Sequence, residues 1–379
     1  MEPRTATLQK LLHDQKCFKM ICGAGNEDKE YVKKLALIYT LAGAKILDIS
    51  ANPEVVTYAK AGINIAYHMA DQLSIDIGVR PYIMVSIGMP GDHHVRKSYI
   101  DPNTCLACGL CDPVCPTDAI PKNFHLDLDF YRNLAGSFDK EDQDKEIVVK
   151  DLCIGCGKCS NICPKDDIIS YRHNARELLK LLPECMAAGA ECFELHAAVG
   201  DDDVTMQEWQ LINQVNPDNF NSMCLDRLNL GNLNLEHRIS QARDISNDKL
   251  IIQADGYPMS GGEDDYNTTL QAVACADVIN KKFNMKIYKK KENNKISSKR
   301  VYKSLSAKKA INIIISGGTN SLSKKLADLC GVRINGVAVG TYARKIVNNN
   351  VQVVDFYNNY DNILDAVSKA KLLVDVNME

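Results

Sequence analysis

The sequence predicts an α/β fold: a (β/α)8-type barrel interrupted after its third strand by a compact, cysteine-rich α+β module. Three observations lead there. Eight short apolar runs alternate with amphipathic stretches of helical period, the pattern of βα units around a parallel sheet. The 379 residues give enough length for eight such units and an insertion. Eight of the 15 cysteines gather in two tight runs between the third and fourth apolar stretches. The first three strands are expected at FKMICGA (18–24), KILDISA (45–51) and YIMVSIG (82–88). The other five are expected at CFELHAA (192–198), SMCLDR (222–227), KLIIQADG (249–256), INIIISGG (311–318) and INGVAVGT (334–341). Helices such as EYVKKLALIYTLAGA, NARELLKLLPECMAAGA and NTTLQAVACADVINKKF separate them, with apolar residues repeating at helical spacing. The expected division is a discontinuous barrel over 1–90 and 172–379 and an inserted module over 91–171.

The module is an internal duplication. Shifted by 48 positions, CLACGLCDPVCPTDAI falls on CIGCGKCSNICPKDDI with every cysteine aligned, along with Pro116 on Pro164, Asp118 on Asp166 and Ile120 on Ile168. Each half reads C-x2-C-x2-C-x3-C-P, the ligand spacing of bacterial-type two-cluster ferredoxins, and implies two [4Fe-4S] clusters. In that pattern the fourth cysteine crosses to the other cluster. Cys105, Cys108, Cys111 and Cys163 are therefore assigned to one cluster, and Cys153, Cys156, Cys159 and Cys115 to the second. Gly109 and Gly157 relax the backbone where amides approach the sulfides. Zinc knuckles are the alternative, but structural zinc sites pair two short hooks across a longer gap. The C-x3-C-x2-C spacing of radical S-adenosylmethionine chemistry occurs nowhere in the chain. The remaining seven cysteines, at 17, 22, 185, 192, 224, 275 and 330, read as small buried hydrophobes.

Strand alternation selects candidate barrel residues, because successive side chains face opposite sides. Phe193, Leu195 and Ala197 suit the helix layer, which leaves Glu194 and His196 facing the lumen. Asp48 and Ser50, Ser86, Asp226, and Gln253 with Asp255 fall on the corresponding sides and crowd toward the C-terminal strand ends, where (β/α)8 active sites lie. Glu194, His196, Asp226 and Asp255 are the candidate lumen site; the alternative is that these groups only satisfy one another and nearby turns. ISGGTNS and AVGTYARK form small-residue turns before helices, so Gly317, Gly318, Gly340 and Thr341 are a candidate grip for a flavin or other phosphate-bearing ligand, with simple tight turns as the alternative. No lysine or cysteine base can be assigned.

Composition narrows the partners. Forty-five Lys and Arg against 48 Asp and Glu argue against nucleic acid as a main partner. No apolar run reaches the roughly 20 residues of a membrane span, and the start lacks a secretory h-region, so a cytoplasmic location is expected. DKEDQDKE (139–146) reads as a solvated loop, and MKIYKKKENNKISSKR (285–300), with seven lysines and arginines against Glu292, as a mobile surface excursion; docking is the alternative role for both. His93 and His94 read as loop histidines rather than ligands.

The segment CFKMICGAGNEDKEYVKKLALIYTLAGAKILDISANPEVV, followed by CLACGLCDPVCP and CIGCGKCSNICP and a long C-terminal half, resembles the cyanobacterial light-dependent-period family over nearly the whole chain. That resemblance implies an iron–sulfur redox sensor in the circadian clock input pathway, with the circadian oscillator and its clock-input kinase as partners and the eight cysteines as ligands. The alternative is an oxidoreductase that passes electrons between the clusters, an electron-transfer partner and a flavin- or phosphate-ligand site in the barrel.

Overall fold

The computed structural model describes residues 3–88, 97–135, 146–149, 152–153, 157–165, 168–172, 178–198, 202–246, 249–257, 262–292, 295–304 and 310–379. Eight parallel strands close a barrel: β1 (Cys17–Ile21), β2 (Ile46–Ser50), β3 (Tyr82–Gly88), β6 (Cys192–His196), β7 (Asn221–Asp226), β8 (Leu250–Asp255), β11 (Asn312–Ser316) and β12 (Gly336–Val339). Each lies where an apolar run predicts it, β3 with the predicted bounds and the others with ends that differ by one to three residues. The barrel closes between β12 and β1, with Cys17 beside Gly336 and Met20 beside Val339. Two insertions interrupt it. The antiparallel pair β4 (Lys97–Ile100) and β5 (Ile169–Arg172) brackets the cysteine runs between β3 and β6. Between β8 and β11, β9 (Met285–Glu292) and β10 (Lys295–Ser304) form an antiparallel hairpin. The described residues of the basic stretch are thus paired strand, their conformation set by backbone pairing between two extended arms.

Alternation sorts the strand residues into two cores. Phe18, Met20, Leu47, Ile49, Phe193, Leu195, Ile313 and Ile315 point outward into the helix layer. There they meet α2 (Lys29–Leu41), α3 (Pro53–Leu73), α9 (Tyr266–Ile279) and α12 (Tyr360–Val376), among others. Cys17, Ile46, Tyr82, Cys192, Ile251 and Ile314 point inward and form an apolar layer at the N-terminal end of the lumen. The ten-residue helix α1 (Arg4–His13) caps that end, with Leu8 and Leu12 packed into the layer. Arg4 fixes the cap by a two-pronged bond to Glu191, Nε to Oε1 at 2.6 Å and Nη2 to Oε2 at 2.9 Å. With the floor sealed by hydrocarbon, polar chemistry is confined to the upper lumen and the C-terminal mouth.

Candidate iron–sulfur and barrel-mouth sites

The cysteine runs wrap a small core of their own, built on Ile100, Ala119, Ile120, Phe124, Ile168 and Ile169. A cavity in this module is lined by Cys105, Cys108, Cys111 and Cys163, together with Gly109 and Phe124. Cys115, Cys153 and Cys159 belong to the same core, and Cys156 lies outside the described residues. The described cysteines are all unbridged. Four cysteines lining one cavity supply the all-thiolate donor set that a group with an iron at each corner takes. Burial pushes the Cys111 thiol up to about 12, so a thiolate forms there only beside a cation. Gly109 adopts a left-handed φ of +68°, and a Cβ there would meet the His125 ring at 2.7 Å, so loop and ring require this glycine. The Ser98 amide lies 3.4 Å from Cys153 Sγ, and Ser98 Oγ lies 3.4 Å from Cys159 Sγ. A neutral donor placed at a thiolate favours its charged form. His93, His94 and all but the last residue of the 139–146 stretch lie outside the described residues.

In the barrel, the layer above the hydrocarbon floor is ionic. Lys19, wholly buried on β1, places Nζ 2.8 Å from Asp48, 2.6 Å from Glu194 and 2.7 Å from Gln253 Oε1. Glu194 also accepts from Ser222 at 2.6 Å and from Gln253 Nε2 at 2.8 Å, and Ser86 donates to Asp48 at 2.5 Å. Burial opposes the Lys19 charge, but Asp48 and Glu194 outweigh it and hold the ammonium above the usual lysine range. Burial raises Asp48, and Glu194 adds to the rise against the pull of Lys19. One ammonium faces two carboxylates, so Lys19 acts as a buried tie rather than as a free base.

Above this layer, a cavity of about 420 Å³ opens at the C-terminal face. Gly317, Gly318, Gly340 and Thr341 all line it, as do His196 and Asp255. Glu194 lies beneath it, and Asp226 is not part of its lining. The Asp226 carboxylate, in register with Asp255, instead accepts from the Asn229 amide at 2.7 Å and from Asn229 Nδ2 at 2.9 Å, which ties the loop after β7. Gly317 has its own reason to be glycine: a Cβ would fall 1.6 Å from Asp255 Oδ1. Sequence reasoning missed Lys19, although the parity that selects Glu194 also selects it. It also missed Arg344, which lines the mouth one turn into α11 (Thr341–Val351) and donates to Ile21 O at 2.8 Å. The far wall belongs to the module: Pro116, Thr117, Asp118 and Leu152 complete the cavity. Lys97 stitches the two parts together, donating to Gly25 O and, at 2.8 Å, to Cys153 O.

Residues 104–176 match a 4Fe-4S double cluster binding domain. The chain resembles Light dependent period A. The likeness to that protein, from Synechococcus elongatus, is 40% identity over 105 residues, which is 27% of this chain and 28% of the relative. It therefore covers about a quarter of the chain rather than nearly all of it. Among solved structures, the YdjI aldolase of Escherichia coli K12 is similar with a TM-score of 0.40 and 6% identity, over 96% of this chain and 92% of that one. A tryptophan synthase structure from Mycobacterium tuberculosis is similar with a TM-score of 0.40 and 10% identity, over 100% of each chain. The barrel itself is defined by its own closed strand order. The chain thus joins a (β/α)8-type barrel to an iron–sulfur binding domain, and no helix among the described residues is long and apolar enough to cross a membrane.

Proposed function

We propose that the chain is a two-cluster iron–sulfur redox sensor acting in circadian clock input, with the oscillator and its input kinase as partners. The observation that carries this reading is the double-cluster match over the two cysteine runs in a chain that resembles Light dependent period A. In this reading residues 91–171 form the inserted module, and 1–90 with 172–379 the barrel. Cys105, Cys108, Cys111 and Cys163 hold one cluster, supported by the cavity they share. Cys153, Cys156, Cys159 and Cys115 hold the other, supported by the common core of the three described members. When bound, such clusters take up and release single electrons at potentials set by hydrogen bonds and exposure. The protein's own groups supply those settings: Ser98 offers an N–H and an O–H to the second set, and in the first the apolar core buries Cys111 while Cys108 stays exposed.

A second reading, an oxidoreductase working in a cytoplasmic setting with a flavin or other phosphate-bearing ligand, is favoured by the mouth cavity with its candidate grip residues. One preparation separates the two. Protein purified without oxygen should contain about eight irons and eight sulfides per chain. Bound flavin together with steady turnover of an electron acceptor would favour the enzyme, and protein free of iron under these conditions would refute both. Cys108→Ser should lower the iron content while Cys275→Ser, in the barrel core, leaves it unchanged; equal loss in both overturns the ligand assignment.

A further inference from the structure

One serine stands where the module's fold calls for hydrocarbon. Strand β4 alternates, with Ser98 and Ile100 buried and Lys97 and Tyr99 half-buried. Ile100 fills its inward position as part of the apolar core around the cysteines. Ser98, 4% exposed, takes the inward position two residues earlier and brings two polar groups with it. Both face sulfur: its amide lies 3.4 Å from Cys153 Sγ and its Oγ 3.4 Å from Cys159 Sγ. A buried hydroxyl without a partner costs free energy, and the Cys159 contact supplies the partner. Cys153 and Cys159 belong to the same ligand set, and Lys97, next to Ser98 on β4, donates to Cys153 O at 2.8 Å and so fixes a cation on the same side. The internal repeat has no second copy of this arrangement. Shifted by the 48 positions that align the cysteines, Lys97 falls on Lys145 and Ile100 on Val148, but Ser98 falls on Glu146. An ionised carboxylate accepts hydrogen bonds and has no proton to donate.

We propose that Ser98 is a positioning residue whose hydroxyl raises the midpoint potential of the cluster on Cys153, Cys156, Cys159 and Cys115, and of that cluster alone. The inference rests on the two-cluster reading of the module. A thiol that coordinates a metal gives up its proton, so at Cys159 the hydrogen bond runs from Ser98 Oγ to the sulfur and not the other way. Uptake of one electron from an external one-electron donor adds one negative charge to iron and sulfur, with no bond made or broken. A hydrogen-bond donor aimed at the sulfur favours the more negative form, which is the reduced one, and therefore raises the potential. The hydroxyl is the separable part of the device, because a substitution at 98 keeps the backbone N–H that faces Cys153.

The test is a potentiometric titration of the full chain prepared without oxygen, reduced stepwise with dithionite and followed by electron paramagnetic resonance. Ser98→Ala removes one oxygen, and Ser98→Thr keeps the hydroxyl on a residue suited to a strand. Alanine should lower the midpoint of one cluster by at least threefold in its reduction equilibrium, about 28 mV at 59 mV per tenfold for a one-electron couple. The other cluster, the iron content and the visible absorption should not move, and threonine should restore the wild-type midpoint. In a Cys108→Ser background, where the first set is disturbed, the alanine shift should persist. Midpoints unmoved by alanine, both midpoints moved equally, or threonine behaving as alanine would overturn the role of Ser98 while the two clusters stand. Protein that holds no iron when prepared without oxygen refutes the two-cluster reading itself, and this is seen before any titration begins.

Discussion

Lys19 is held by two carboxylates and an amide and has no water-facing surface, so its removal leaves the buried Asp48 and Glu194 with neutral donors from Ser86, Ser222 and Gln253 but without their shared cation. Lys19→Met should cost about 3–5 kcal/mol in urea unfolding, the usual penalty for breaking a buried pair from one side. Asp48→Asn should cost less, on the order of 1 kcal/mol, because Lys19 keeps Glu194 and Gln253. The pH dependence has a definite sign. Asp48 is raised in the fold, so the native state holds its proton after the unfolded chain has released it. The stability that Asp48 contributes should fall as pH rises from the unfolded carboxyl value of about 3.9 to the raised native value, then level off. In Asp48→Asn that contribution disappears, so the stability difference between the two proteins should change with pH in unfolding curves at several pH values; a difference constant with pH refutes the assignment. A separate prediction concerns the thiols. In iron-free protein, exposed Cys108 should alkylate quickly at pH 8, whereas Cys111, pushed up to about 12, should gain reactivity only as the pH approaches that value. Peptide mapping by mass spectrometry reads both.

The eight barrel strands were legible because each is an apolar run bounded by turn residues, and the cysteine runs because their spacing is chemically specific. Helix α1 was not. Its Leu8, Leu11 and Leu12 give a short apolar stripe in only ten residues, too little periodicity to announce a barrel cap, and its role depends on Tyr82 and Cys192, far away in sequence. Leu12→Ala should destabilise the protein by about 2–5 kcal/mol, since the cavity it leaves is walled by strands that cannot collapse. The β9–β10 hairpin escaped for the opposite reason: lysine repeats carry no strand signal, and only the pairing of Lys303 with Lys286 and Tyr302 with Ile287 reveals it. Within the site, Asp226 and Asp255 read alike in sequence, each near the end of a strand. Asn229, three residues on, captures one and leaves the other at the cavity.

At the scale of the molecule, the module and barrel are joined where each has its chemistry. Lys97 bridges the loop after β1 to the backbone of Cys153, so the order of the cysteine loop and that of residues 22–26 are mechanically connected. Loading iron should slow amide exchange in residues 22–26 as well as around the cysteines. Lys97→Met should confine the protection to the cysteines; protection that spreads equally in the variant would break this connection. Such coupling has no sequence signature, because it depends on which side of the barrel the insertion folds over.

The hydrocarbon seal made by α1 has a further consequence for traffic. A barrel stoppered at one end is a cup, not a conduit: a molecule that reaches Gln253 or Asp255 must leave by the way it came. Among the described residues the cysteine module lines that mouth through Pro116, Thr117, Asp118 and Leu152, so a visitor entering there passes the side of the cup where Cys115 begins its loop.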